Sequence, residues 1–122
     1  MPINGIYTPL EYNQAKKAIS YIDTKYKEHI SAHGLAEEFR MDIKTLRIVV
    51  QAITGESIHN YLLKVRLDKA TQDLLDFKLS IASIATRNGF SHSHHFSRLF
   101  KARYGVTPRK YREEISRKEN HL

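Results

Sequence analysis

The sequence contains no cysteine, which removes disulfides, thiolate metal sites and cysteine nucleophiles together. Glycine and proline are scarce, at five and three, and they stand where helices should begin or end. No uninterrupted apolar run approaches the length of a membrane span. No basic-then-apolar stretch opens the chain, so a cytoplasmic location is expected. No segment alternates between apolar and polar residues over strand length, which argues against a sheet. From residue 77 to residue 112 there is no acidic side chain at all.

That last absence organises the charge. Twenty Lys and Arg against thirteen Asp and Glu leave +7 over 122 residues. Residues 1–76 hold ten bases and ten acids, a net of zero. Residues 77–112 hold eight bases. Residues 113–122 hold two bases and three acids. One stretch therefore carries more than the whole net charge. A concentrated positive block attracts polyanions, and nucleic acid is the commonest of them in the cytosol. Length and composition fit one domain, or two very small ones sharing a core.

The apolar residues that are present recur at helical spacing. Thr8, Pro9 and Glu11 spell a capped helix start, followed by Tyr12, Ala15, Ile19, Ile22 and Tyr26 on one face. Ser31 opens a second helix with Leu35, Ala36 and Phe39 inward. Asp42 caps a third, with Leu46, Val49, Val50 and Ile53 on one stripe and Gly55 at its end. Ser57 caps a long fourth helix over 58–75. Ile58, Tyr61, Leu62 and Val65 face one way, and Leu67, Ala70, Leu74 and Leu75 continue the burial. Ser80 caps a fifth, holding Ile81, Ile84 and Ala85 and stopped by Asn88-Gly89. Ser91 caps a sixth, with Phe96, Leu99, Phe100 and Tyr104 inward. Thr107-Pro108 opens a seventh containing Tyr111. The fold class is all-α, with about seven helices.

The list contains a repeat. Ile30, Ser31, Leu35 and Ala36 return 49 residues later as Leu79, Ser80, Ile84 and Ala85. Leu46, Val49, Val50, Gly55 and Tyr61 return 50 residues later as Phe96, Leu99, Phe100, Gly105 and Tyr111. The single-residue slip falls in the turn between two helices. Each unit is thus a short helix, a tight turn, a second helix, then a capped helix carrying Tyr. Two helix-turn-helix units are joined by the fourth helix. The expected division is 8–56 for the first unit, 57–78 for the bridging helix and linker, 79–117 for the second unit and 118–122 for a tail.

In such a unit the first helix braces and the second enters the DNA major groove. In the second unit the side opposite Phe96, Leu99 and Phe100 carries Ser93, His94, Ser97, Arg98 and Lys101. In the first unit the matching side carries Lys44, Thr45, Arg47, Ile48 and Gln51. Arginine reads guanine through two parallel bonds, whereas the apolar Ile48 suits a thymine methyl. Arg40 stands where Gly89 stands in the second unit. A positive φ at Arg40 would store about 1–2 kcal/mol of strain. Glu37, Glu38 and Asp42 add negative charge nearby, so the first unit is expected to read bases more than attract phosphate.

Residues 79–112 carry a specific set of spacings. They run from Leu79-Ser80-Ile81 through Ile84-Ala85, Gly89-Phe90, Phe96-Ser97-Arg98-Leu99-Phe100-Lys101 and Tyr104-Gly105-Val106-Thr107-Pro108 to Tyr111-Arg112. This set resembles the signature of the AraC/XylS family of bacterial transcription regulators. The resemblance extends back through Arg66, Tyr61, Gly55, Leu46 and Ala36 to about residue 12. It implies seven helices and two recognition helices that enter successive major grooves, spaced by the bridging helix. Residues 58–75 would span about 27 Å at 1.5 Å per residue, and successive grooves lie about 34 Å apart.

Carried over by position, the base-facing residues are Lys44, Thr45, Arg47 and Ile48, then Ser93, His94, Ser97 and Arg98. The phosphate-facing residues are Ser80, Ile81, Thr107, Arg109 and Lys110, at two helix starts that offer exposed amides, together with Lys101. Arg40, Ile48 and Val50-Gln51 depart from the family pattern, all in the first unit. The resemblance implies double-stranded DNA as partner, with RNA polymerase as a further one. It implies no cofactor, no membrane and no small-molecule effector site within this chain. Most members carry a further domain, so the chain is expected to be a stand-alone regulator or, preferentially, the C-terminal domain of a longer one.

Plainer readings suit the remaining motifs. His92, His94 and His95 lack a neighbouring carboxylate or thiolate, so polar residues at a helix start outweigh a metal site. His29 and His33 flank a loop, and Glu37-Glu38 reads as a solvated face. The tyrosines read as core and rim, with Tyr21 exposed. No nucleophile, base and oxyanion site assemble, so an enzyme is not expected. The alternative to a DNA regulator is a basic helical module for RNA or protein binding. Competition between duplex DNA and duplex RNA separates the first, because the narrow A-form major groove excludes helices. Insensitivity to salt would mark the second.

Overall fold

The computed structural model describes residues 7–120. Among them the chain forms seven α-helices and no strand. They are α1 (Pro9–Lys25), α2 (Ala32–Glu38), α3 (Ile43–Thr54), α4 (Ile58–Asp73), α5 (Ile81–Arg87), α6 (Ser93–Tyr104) and α7 (Pro108–Asn120). The contacts divide the chain into two compact units, one ending at Val65 and one beginning at Arg66, inside α4.

In the first unit α1 starts on a complete capping box. Glu11 N donates to Thr8 Oγ1 at 3.1 Å, and Thr8 N donates to Glu11 Oε1 at 2.7 Å. Ala15, Ala18, Ile19 and Ile22 then bury one stripe, and α1 packs on α3. Leu46, Val49 and Val50 are the wholly buried side of α3. Leu35 and Ala36 of α2 and Ile58, Leu62 and Val65 of α4 complete the core. Each fully buried aliphatic side chain contributes about 1.5–3 kcal/mol. Ser57 Oγ accepts from Asn60 N at 3.1 Å and so caps α4. Tyr61 Oη donates to Asp23 Oδ1 at 2.6 Å, tying α4 to α1.

The second unit buries Leu67, Ala70, Leu74, Ile84 and Ala85, and its remaining volume is filled by aromatic rings. Phe96 lies 5.1 Å from Phe90 and 5.7 Å from Phe100, ring centre to ring centre. Phe100 meets Tyr104 at 4.5 Å and Tyr111 at 5.4 Å, so α6 is fastened to α7 through that ring. The one buried polar side chain among the described residues, Asn88, is satisfied. Its Nδ2 donates to Asp73 Oδ2 and to Ile84 O, both at 2.8 Å.

The structure departs from the sequence expectations at several points. The fourth helix ends at Asp73 rather than at 75. Leu75 N and Asp76 N bond three residues back, to Gln72 O and Asp73 O, which tightens the chain out of the helix. Leu74 stays buried and Leu75 swings out to 52% exposure. Ser91 is not the cap of α6; His92 holds that position and makes no side-chain cap bond. Leu99 is half-buried, not core like Phe96 and Phe100. Tyr21 is half-buried, edge-on to Phe39 at 5.9 Å. The expected tail begins as helix, since α7 runs to Asn120, and its last two residues lie outside the described residues.

Candidate nucleic-acid interface

The two tight turns are built alike. After α2, Arg40 N donates to Glu37 O at 3.2 Å and Met41 N to Ala36 O at 2.9 Å. After α5, Gly89 N donates to Thr86 O at 3.1 Å and Phe90 N to Ala85 O at 3.0 Å. Both are the paired bonds of a Schellman turn, with the positive-φ residue just past the cap. That residue is Arg40 at φ 53° and Gly89 at φ 94°. The helices that follow begin at Ile43 and Ser93, 50 residues apart. The slip in the repeat is therefore one extra residue, Ser91, between Phe90 and His92.

Turn and core together decide which side of α3 and α6 faces outward. Asp42 Oδ2 accepts from Lys44 N at 3.1 Å and Thr45 N at 3.2 Å, which opens α3. With Leu46, Val49 and Val50 inward, Lys44, Arg47 and Gln51 are exposed, Ile48 is 43% exposed and Thr45 is half-buried. On α6, Ser93, His94, Arg98 and Lys101 are exposed and Ser97 is half-buried. Residues 44, 47, 48 and 51 thus share one stripe, and residues 94, 97, 98 and 101 share the same stripe in the second unit. By this register the counterpart of Thr45 is His95, whose ring sits edge-on to Phe90 at 6.3 Å.

Apart from Lys101 in the last turn of α6, the residues expected at phosphate lie at two helix starts of the second unit. Ser80 Oγ accepts from Ser83 N at 3.0 Å and Thr107 Oγ1 from Lys110 N at 3.1 Å. Ser80, Thr107, Arg109 and Lys110 are exposed, and Ile81 is half-buried. Three of the eight cations of the basic block are engaged inside the unit. Arg103 pairs with Asp68 at 3.1 Å, and Arg87 lies 3.8 Å from Asp73. Arg112 donates to three backbone carbonyls. Asp68 also accepts from the Tyr104 hydroxyl. Burial, and then that bond, push the Tyr104 phenol up to about 12. Arg98, Lys101, Arg109 and Lys110 remain exposed on the outer side.

Two features escaped the sequence. A cavity of about 500 Å³ opens in the first unit beside Arg47 and Gln51, walled by Ile30, Ser31, Ser57 and Leu62. The inward use of Arg112 is the other. Nothing in the spacing of either stretch signals them, since both depend on how helices meet. Among the described residues no group of three metal-ligating side chains converges, and no helix is long and apolar enough to cross a membrane.

Residues 35–114 match a family model described as a helix-turn-helix domain. The HTH-type transcriptional activator RhaS of Mannheimia succiniciproducens is 32% identical over 99 residues, 81% of this chain and 37% of that protein. RhaS of Enterobacter is 32% identical over 106 residues, 85% of this chain and 38% of that protein. The chain spans just over a third of the length of these curated relatives. Among solved structures, the C-terminal domain of AraT, a response regulator from Geobacillus stearothermophilus, aligns with a TM-score of 0.78 at 30% identity. That alignment covers 88% of this chain and 86% of the other. A regulator from Chromobacterium violaceum with an AraC-type DNA-binding domain aligns at 0.77 and 26% identity, covering 84% and 91%. The DNA-binding domain of AdpA, solved with a target DNA, aligns at 0.82 over 88% and 97%; at 19% identity that likeness concerns the fold.

Proposed function

The chain belongs to the AraC-type family of helix-turn-helix domains, and we propose on that footing that it binds double-stranded DNA sequence-specifically as a transcription regulator. One observation carries the reading. Two turns closed by the same pair of backbone bonds each present a helix with the same four outer-stripe positions, polar or cationic at all of them except Ile48.

On this reading α3 and α6 are the recognition helices. Lys44, Thr45, Arg47 and Ile48 face bases in the first unit, and Ser93, His94, Ser97 and Arg98 face them in the second. Ser80, Ile81, Lys101, Thr107, Arg109 and Lys110 face phosphate. The domain division is 8–56, 57–78 and 79–117. The site needs no cofactor and performs no catalysis, and the protein works in the cytoplasm. RNA polymerase is a further partner. Two unlike units without a dyad read two successive major grooves as a non-palindromic site.

Selection of bound duplexes from a random pool tests this. A non-palindromic consensus covering two groove segments is expected. Arg47→Ala and Arg98→Ala should each relax preference at a limited base position, at about 1–3 kcal/mol apiece. An unchanged consensus in both variants, or equal binding of duplex RNA, would overturn the reading.

A further inference from the structure

Arg112 belongs to the acid-free block, yet its charge is turned inward. Its Nε donates to Leu74 O at 3.0 Å, one terminal nitrogen to Leu79 O at 2.7 Å, and the other to Asp76 O at 3.2 Å. The guanidinium carbon lies 5.6 Å from the centre of the Phe77 ring. Leu74, Asp76 and Leu79 mark the beginning, middle and end of the connection between α4 and α5. Leu74 directly follows the last residue of α4, where carbonyls lack helical partners. Leu79 directly precedes Ser80, the cap of α5. A single planar fork on α7 therefore spans the whole connection.

Among the described residues of the first unit, the matching position carries no such brace. The residue 50 positions earlier is Leu62, buried at 4% exposure and without a donor. The cavity of the first unit opens beside Leu62 and Ile30, the counterparts of Arg112 and Leu79.

We propose that Arg112 is a positioning residue for DNA binding. It touches no phosphate; it holds the start of α5 in fixed register with the start of α7. Ser80 and Ile81 can then meet the backbone together with Thr107, Arg109 and Lys110. The proposal rests on the DNA-binding reading above. Lysine keeps the charge of arginine but supplies a point donor, which cannot span three carbonyls in one plane.

The test compares the full chain with Arg112→Lys and Arg112→Met on a selected duplex and a random one. Arg112→Lys should lose about ten-fold in affinity for both duplexes, close to the loss in Arg112→Met. The base consensus should stay that of the parent. Amide exchange read on the folded protein should quicken at Ser83, whose N–H is held by the α5 cap, and stay unchanged in α6. An Arg112→Lys variant with parental affinity, beside an Arg112→Met variant whose salt slope falls by about one, would make Arg112 a direct phosphate contact and overturn the proposal. Parental exchange at Ser83 in both variants would overturn it equally. If the parent itself bound no duplex, the DNA-binding reading would fail, and the exchange measurement would still decide whether Arg112 braces α5.

Discussion

Arg40 holds at φ 53° the turn position that Gly89 fills at φ 94°, and the same pair of backbone bonds closes both turns. The geometry belongs to the turn and is imposed on whichever residue stands there. Among the described non-glycine residues Arg40 is the one with positive φ. A side chain in that region costs about 1–2 kcal/mol, and glycine returns part of the gain as chain entropy. Arg40→Gly should therefore stabilise the protein by up to about 1 kcal/mol, read as a higher urea midpoint. Gly89→Ala should lower the midpoint. An Arg40→Gly variant less stable than the parent would mean that the arginine side chain contributes more than its backbone costs.

The capped starts and the buried stripes were readable in the sequence because they are local. Thr8, Ser31, Asp42, Ser57, Ser80 and Thr107 sit one residue before their helices, and each side-chain oxygen accepts an amide of the first turn. Ser91 misled because the sequence offers a good cap residue in the very place where the second unit has its extra residue. His92 caps by position alone. Leu75 misled because helical periodicity continues past the point where the backbone leaves the helix. In the sequence Arg112 is simply one of the eight bases of the acid-free block, because its three acceptors are main-chain carbonyls. Carbonyl directions leave no trace in residue types.

The inward stripe of α6 is uneven, and its variants should differ accordingly. Phe100 is wholly buried and touches Phe96, Tyr104 and Tyr111, whereas Leu99 is half-buried. Phe100→Ala should cost about 3–5 kcal/mol, and Leu99→Ala distinctly less. Chemical denaturation of both variants gives the comparison. Equal losses would mean that Leu99 is packed as deeply as Phe100.

Tyr104 gives the second unit a stability change at high pH. Burial and the bond to Asp68 raise its phenol to about 12, above the value of about 10 in an unfolded chain. A raised value means that the folded state keeps its proton longer than the unfolded state. The contribution is complete below pH 10 and is lost as pH rises from 10 towards 12. Tyr104→Phe should flatten that part of the stability profile and remove the latest step from the phenolate absorbance titration. A parental absorbance titration in Tyr104→Phe would assign the late step to another tyrosine.

On the DNA-binding reading the two units should divide the work of binding unequally, and the arginines engaged inside the second unit narrow which cations do it. Residues 77–112 hold eight bases and residues 1–76 are neutral overall. Arg87, Arg103 and Arg112 are engaged within the second unit, so its outward field comes from Arg98, Lys101, Arg109 and Lys110 with Lys78. Long-range attraction follows net charge, and base reading follows particular side chains. Ile48, at 43% exposure on the outer stripe of α3, stands where Arg98 stands on α6. Ile48→Arg should raise affinity for random duplex, steepen the salt slope by up to about one, and change the preferred base at one position. Arg98→Ala should weaken the salt slope and relax one base position in the second half-site. Salt titrations of both variants and the parent on one selected and one random duplex measure these effects. If Ile48→Arg matched the parent on both duplexes, residue 48 would not face DNA. The first unit would then serve as a brace rather than as a reader of sequence.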